Sequence, residues 1–80
     1  MPKFVLTHHH RADECAIAVA AWRGFTSPLR GGRPLGSCAR GGHTLWWTVD
    51  ADDAEAALAL LPGFVACRTV AEQVFEVPLP

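Results

Sequence analysis

The sequence predicts an α+β fold, and three observations support this. Four stretches have the apolar spacing of β-strands and two have that of helices, and along the chain they follow the order β-α-β-β-α-β. A glycine pair, Gly41–Gly42, joins the two middle strands as a hairpin. The length of 80 residues accommodates one domain, residues 1–80. This order is that of a ferredoxin-like domain, so we expect an antiparallel four-stranded sheet ordered 4-1-3-2, with two helices on one face.

The first strand and the first helix occupy the first quarter of the chain. Phe4–His10 is a run of strand-forming residues, and Arg11–Arg23 has helical periodicity. Gly24 ends this helix, because glycine is the usual residue just beyond a helix C-terminus. The apolar stripe that the helix turns toward the sheet is expected to consist of Ala12, Cys15, Val19 and Trp22.

A loop and the central hairpin come next. Phe25–Pro34 contains two prolines and two glycines among its ten residues, a composition typical of a loop. Leu35–Arg40 is expected to be a strand that turns at Gly41–Gly42 and returns as His43–Val49.

The last third supplies a helix and the final strand. Asp50, Asp52 and Asp53 are favoured at a helix N-terminus, so a second helix is expected to follow them and to end at Leu61. Phe64–Ala71 is compatible with a turn or a short helix, and this choice stays open. Gln73–Val77 is expected to form the last strand.

The predicted sheet has a second face that needs cover. Both central strands are apolar on both sides, whereas two helices can cover only one. Trp46 belongs to the uncovered side, and a chain of this size buries only about 60% of its unfolded surface. A second copy of the chain is the simplest cover, so we expect a homodimer.

Charge and composition exclude several classes of function. Seven Lys and Arg balance eight Asp and Glu, so the basic excess typical of a dedicated nucleic-acid binder is absent. No apolar run reaches the roughly 20 residues of a membrane-spanning helix, and the N-terminus lacks the pattern of a signal peptide. The three cysteines are an odd number without a CxxC pair. We therefore expect reduced thiols in a cytoplasmic protein without nucleic-acid or membrane partners.

Two segments resemble known small proteins. The tail Leu61–Leu79 resembles the closing segment of YciI-like proteins, and Trp46–Ala59 together with Glu76–Leu79 resembles a small nickel-binding bacterial family of the same class. The resemblance implies a dimeric α/β barrel built from ferredoxin-like domains. YciI-like proteins use a His–Asp pair, but Leu61 stands at the Asp position here and the first helix contains no histidine.

The predicted topology gathers histidines and cysteines that are scattered in the sequence. The end of strand one, the start of helix one and the central hairpin meet at one end of such a domain. By strand parity, five side chains there share the helix-covered side: His8, His10, Cys15, Cys38 and His43. Imidazole and thiolate suit zinc, nickel or copper, so these five are candidate metal ligands. Three histidines would leave an open, catalytic position, whereas a site with both cysteines would be closed and structural.

The opposite face suggests a different chemistry. His9 is a candidate general base polarised by Glu76, in a pocket walled by Trp46. Arg33 and Arg40 belong to a stretch that contains no acidic residue, and guanidinium groups bind carboxylate or phosphate. A small anionic ligand is therefore expected to contact these arginines and Trp46.

Three functions stay open at this point. The first is a small homodimeric binding protein that holds a transition metal or a small ligand at the His/Cys-rich end. The second is a cofactor-independent isomerase or oxygenase with His9 as its base. The third is a ligand-free structural or regulatory subunit, in which Cys15 and Cys38 are merely small core residues and the histidines belong to a solvated loop.

Overall fold

The computed structural model describes residues 1–80 and has an α+β architecture. Its strands are β1 (Lys3–His9), β2 (Leu35–Gly36), β3 (Thr44–Asp50) and β4 (Thr69–Val74), and its helices are α1 (Cys15–Ala20), α2 (Ala54–Leu58) and α3 (Gly63–Ala66). The strands form one antiparallel sheet in the order β2-β3-β1-β4, which confirms the expected 4-1-3-2 order. None of the helices has the length and apolar content needed to cross a membrane.

The core lies between one face of the sheet and the helices. Strand β1 pairs along its whole length with β3, so side chains alternate strictly between the two faces. The covered face carries Phe4, Leu6 and His8 of β1 and Trp47 and Val49 of β3, all buried. Ala57, Leu61 and Val65 of the α2–α3 segment complete this core. The parity predicted for the central strands is therefore confirmed.

Helix α1 follows a 3-10 turn, Ala12–Glu14, and the chain leaves the helical turn at Gly24 with a φ of 72°. The side chain that α1 buries is Ala18, which is 3% exposed, whereas Val19 is 73% exposed. The expected stripe was wrong at Val19 and at Ala12, which is exposed in the 3-10 turn. The helical segment instead presents Cys15, Ala18 and Trp22 to the sheet at the spacing i, i+3, i+7.

Helix α2 begins where the acidic run predicted. The Asp53 side chain accepts a hydrogen bond of 2.8 Å from the Ala56 amide, which is an N-cap interaction. The helix is shorter than expected and is followed, after Pro62, by the separate helix α3. The segment left open between a turn and a short helix, Phe64–Ala71, thus contains the end of α3 and the start of β4.

The central hairpin differs from the expected two-residue turn. Strand β2 ends at Gly36, and Cys38–Arg40 form a 3-10 turn instead of strand. Gly36 pairs with Leu45, and the Ser37 amide donates to the Thr44 carbonyl at 2.9 Å, so the loop spans residues 38–43. Gly41 has a φ of 79°, which glycine adopts without steric cost, and this closes the 3-10 turn.

The last strand also differs from its expected position. Strand β4 covers Thr69–Val74 rather than Gln73–Val77, and Lys3 of β1 pairs with Val74. Glu76 therefore lies beyond the end of the sheet at which β1 begins. The expected position failed because Phe75 and Val77 alternate with Glu76 in the tail, whereas the observed strand has the adjacent pair Val70–Ala71 followed by two polar residues.

Candidate metal centre

Four side chains meet at the end of the sheet where β1 finishes. His10 follows β1, Cys15 begins α1, and Cys38 and His43 lie at the two ends of the β2–β3 loop. Each offers one ligand atom, and the four atoms lie within 4.8 Å of one another. His10 is buried and the other three are half-buried. The structure thus brings together four of the five predicted metal ligands as a two-histidine, two-cysteine group.

Three of the distances between the ligand atoms are close to those of tetrahedral coordination. His10 Nε2 lies 3.2 Å from Cys15 Sγ and 3.7 Å from Cys38 Sγ. Cys15 Sγ lies 3.2 Å from His43 Nδ1. A tetrahedral zinc ion with Zn–S near 2.3 Å and Zn–N near 2.0–2.1 Å separates its ligand atoms by about 3.3–3.8 Å. These three distances differ from the tetrahedral values by at most a few tenths of an ångström, and all four ligand atoms lie within 4.8 Å of one another, so the four side chains could close around one metal ion.

His8 stands behind His10 and fixes which nitrogen faces the sulfurs. His8 Nδ1 lies 3.2 Å from the Val65 carbonyl oxygen, which only accepts, so Nδ1 carries the proton and donates. His8 Nε2 then has a free lone pair and accepts from His10 Nδ1 at 2.9 Å. His10 Nε2 is left with a free lone pair that faces Cys15 and Cys38. A hydrogen bond to the far nitrogen is the usual support of a metal-bound histidine.

Burial favours the neutral form of His8 and of His10. Removal from water lowers the pKa of His8, although its hydrogen bond to the Val65 carbonyl opposes this. Burial also lowers the pKa of His10, and the neighbouring His43 lowers it further. Burial raises the pKa of the Cys15 thiol, and the nearby Cys38 adds to this. A bound cation would reverse the effect on the thiols, because metal coordination stabilises thiolate.

An ion pair ties the two sides of the site together. Arg68 Nε and Nη2 donate to Glu14 Oε2 at 3.2 and 3.0 Å, and the guanidinium also lies over the Phe64 ring. The Arg11 amide donates to the other Glu14 oxygen at 2.9 Å. These donors hold the pKa of Glu14 below its usual value, the Arg11 amide most of all. The start of α1, beside Cys15, is thereby fixed to the start of β4, beside the Thr69 hydroxyl that contacts His8.

The β2–β3 loop is built to present Cys38 and His43. The Ser37 carbonyl accepts from the Arg40 and Gly42 amides at 3.0 and 2.9 Å, which draws the loop into a compact ring. His43 has a φ of 50°, the one positive φ among the non-glycine residues. A histidine in the left-handed region is uncommon, and such conformations concentrate at functional sites. Here the conformation directs Nδ1 of the ring at Cys15.

Other predicted site residues lie apart from this cluster. His9 is on the opposite face, where its Nδ1 contacts the Thr44 hydroxyl at 3.2 Å. Glu76 follows the far end of β4, about 20 Å along the sheet from His9 at 3.3 Å per strand residue, so the structure does not bring this pair together. Cys67 is exposed and its thiol donates to the Phe64 carbonyl. His9 and Cys67 therefore lie at the same end of the sheet as the cluster but do not belong to it.

The predicted anion-binding residues are only partly gathered. Arg33 and Trp46 line one shallow groove of about 360 Å³ beside β2. Arg40 lies in the 3-10 turn of the β2–β3 loop and does not contribute to that groove. The three residues therefore do not form a single site.

One signal in the sequence went unused. His10 and Cys15 are separated by four residues, and so are Cys38 and His43, which gives H-x4-C followed by C-x4-H. A 3-10 turn, Ala12–Glu14, lies between the two ligands of the first pair, and the 3-10 turn of the second pair begins at the ligand Cys38 itself. Paired ligands at equal spacing are typical of metal sites and would have separated these four residues from His8.

No protein-family profile, curated protein or solved structure matched this chain.

Proposed function

We propose that this chain is a small metal-binding protein whose His10, Cys15, Cys38 and His43 hold one zinc ion. The observation that carries the proposal is the convergence of two imidazole nitrogens and two sulfurs within 4.8 Å. The segments that supply them are far apart in the sequence, so their meeting is a property of the fold.

The ligand set favours zinc over nickel and copper. Two sulfurs and two nitrogens in tetrahedral arrangement are a common structural zinc site, whereas copper(II) and nickel(II) prefer tetragonal geometry. Four protein ligands fill the coordination sphere, so the centre is closed and its role is structural. It would bind the α1 segment and the β2–β3 loop to the end of β1. Free thiols of this kind persist in a reducing compartment, which supports a cytoplasmic location.

The zinc proposal is tested by metal analysis of untagged protein. We expect one zinc per chain in the wild type, and no stoichiometric zinc after the double substitution Cys15→Ser/Cys38→Ser. Cys67→Ser is the matched control, because Cys67 lies outside the cluster, and it should retain full occupancy. A wild-type protein that takes up no zinc from a buffered solution, or a double variant that keeps it, would rule out the site.

We also propose that the chain dimerises through the open face of the sheet, in the manner of the dimeric α/β barrels that it resembles. An exposed row of mostly apolar side chains supports this: Leu35 of β2, Trp46 of β3 and Val70 of β4 lie in one register row, with Thr7 of β1 between the last two. Leu35 and Val70 are more than two-thirds exposed. Such a row is a favourable surface for a second copy, and tryptophan is enriched at interface centres.

The dimer is tested by sedimentation with Trp46→Ala. We expect a wild-type dimer whose association weakens by about 2 kcal/mol or more in the variant, which is the loss typical of a central interface residue. His9→Ala removes a neighbouring ring outside the apolar row and serves as control. A wild-type monomer at micromolar concentration would contradict the dimer and leave the zinc proposal untouched.

A further inference from the structure

A cavity of about 340 Å³ opens directly beside the metal cluster. It lies between α1, the loop before β2 and the sheet, and three of the four candidate metal ligands, His10, Cys15 and Cys38, form part of its wall. Its volume falls at the small end of the range that protein sites for small organic molecules occupy. The metal centre and the cavity therefore share one wall.

The rest of the wall is apolar and aromatic. Trp22 and Trp47 stand side by side with ring centroids 5.9 Å apart and planes tilted by 41°. Leu29 and Leu45 fill the space between them and the rim. Gly31 and Gly32 leave bare backbone at the rim, and a Cβ added to Gly31 would meet no atom within 4 Å. At this separation the two rings pack against each other and together form the aromatic part of the cavity wall.

The wall also carries no net charge. No Asp, Glu, Lys or Arg lines the cavity. A divalent ion bound by two thiolates and two neutral imidazoles forms a centre with zero net charge, so the shared wall would attract neither cations nor anions. Burying an ionised group there would cost its hydration without compensation, whereas an uncharged ring would lose little.

We propose that this cavity binds a small uncharged aromatic molecule, held between the tryptophan rings and the sulfur wall of the zinc centre. The inference rests on the proposed function, because the zinc centre supplies the sulfur wall of the cavity. Sulfur–aromatic contacts and ring–ring contacts would provide the affinity, and the absence of charged side chains would provide the selectivity.

Two fluorescent probes of the same shape test the proposal on the zinc-loaded full chain. N-phenylnaphthylamine is uncharged, and anilinonaphthalene sulfonate carries one added sulfonate. We expect the uncharged probe to bind at least about tenfold more tightly, because the sulfonate has no partner in the cavity. Equal affinities, or tighter binding of the sulfonate, would overturn the proposal.

Two substitutions place the probe. Val19 lines the cavity and is 73% exposed, so Val19→Phe should narrow the opening without disturbing the core. Val77 is 74% exposed in the C-terminal tail, so Val77→Phe is the matched control. We expect Val19→Phe to weaken the uncharged probe by about tenfold or more and Val77→Phe to leave it unchanged. Ala18→Leu, which fills the cavity from within, should act in the same direction as Val19→Phe.

The outcomes separate this inference from the metal proposal. Retained zinc in Val19→Phe would show that the variant is folded and that lost probe binding is due to the cavity. Unchanged probe affinity in both Val19→Phe and Ala18→Leu would show that the probe binds outside the cavity and would refute the inference. A chain that never takes up zinc but binds the uncharged probe in a Val19-dependent manner would refute the proposed function and leave the cavity as a site.

Discussion

The two halves of the covered sheet face are held by different means. Under α2 and α3 the packing is dry: Leu6, Ala57 and Val65 are at most 1% exposed. Under α1 the helix buries only Ala18, makes sparse contacts with the strands and leaves a cavity beside Trp22 and Trp47. We call these the packed half and the ligand half.

The proposed zinc site lies in the less tightly packed half of the covered face. Hydrophobic burial supplies the packed half with its stability. In the ligand half, His10, Cys15, Cys38 and His43 converge beside the sheet, and a zinc ion bound as proposed would link the segments that supply them. Metal binding in such a site is coupled to the ordering of the segments that supply the ligands.

Removal of zinc should therefore affect the two halves unequally, and this is the largest effect we expect. At free zinc a thousandfold above the dissociation constant, binding contributes about 4 kcal/mol of stability. Chelation should lower the melting temperature and speed amide exchange in residues 11–22 and 37–43, with β1 and β4 retaining protection. Hydrogen exchange with mass spectrometry measures this. Uniform deprotection of the whole chain would contradict the division into halves.

Leu6→Ala should show the converse pattern. The Leu6 side chain is fully buried in the packed half, and such a truncation costs about 3 kcal/mol through lost burial and the cavity left behind. Zinc stoichiometry in the folded protein should stay at one, because Leu6 contacts no ligand. Chemical denaturation and metal analysis measure the two quantities, with Val5→Ala on the opposite face as control. If folded Leu6→Ala protein lost its zinc, zinc binding in the ligand half would depend on packing in the packed half.

His8→Ala tests the connection between the halves. His8 links the Val65 carbonyl of the packed half to His10 of the ligand half. Loss of such support usually reduces metal affinity about 10–100-fold, with the stoichiometry retained. Competition with a chromophoric chelator measures the affinity. His9→Ala is the matched control on the solvent side of the same strand, and an equal loss in both variants would remove His8 from this role.

Gly42→Ala should have the smallest of these effects. A Cβ at Gly42 would overlap the Ser37 side chain, whose hydroxyl accepts from the Thr44 amide and closes the loop of Cys38 and His43. We expect zinc affinity to fall severalfold, equivalent to about 1 kcal/mol, through displacement of the loop. Gly63→Ala is the control, since a Cβ there meets no atom within 4 Å. The same chelator competition detects the difference, and unchanged affinity in Gly42→Ala would show that the loop adapts.

The packed half was largely predictable from the sequence. Alternation in β1 and β3 fixed their buried faces, and the acidic run located the N-cap at Asp53. Strand β4 was misplaced because the tail around Glu76 shows a clearer alternation of apolar and polar residues than Thr69–Val74 does. The observed register brings Thr69 opposite His8, where its hydroxyl contacts the buried ring. That polar contact was not visible in an apolar pattern.

The ligand half was predictable in content but not in detail. Topology alone gathered His8, His10, Cys15, Cys38 and His43, yet it could not distinguish ligand from support. The two-residue hairpin failed because Gly41–Gly42 is also compatible with a longer loop, in which Gly41 ends a 3-10 turn and His43 adopts a positive φ. The conformational preference of glycine is compatible with both the two-residue turn and the longer loop. The choice between them depends on contacts with the rest of the fold.

Zinc K-edge X-ray absorption tests the central claim most directly, because it reports the atoms bound to the metal. The account predicts one zinc with two sulfurs at about 2.3 Å and two imidazole nitrogens at about 2.0–2.1 Å, and the same spectrum for Cys67→Ser. A shell of oxygen and nitrogen alone, or one with a third sulfur that disappears in Cys67→Ser, would contradict it.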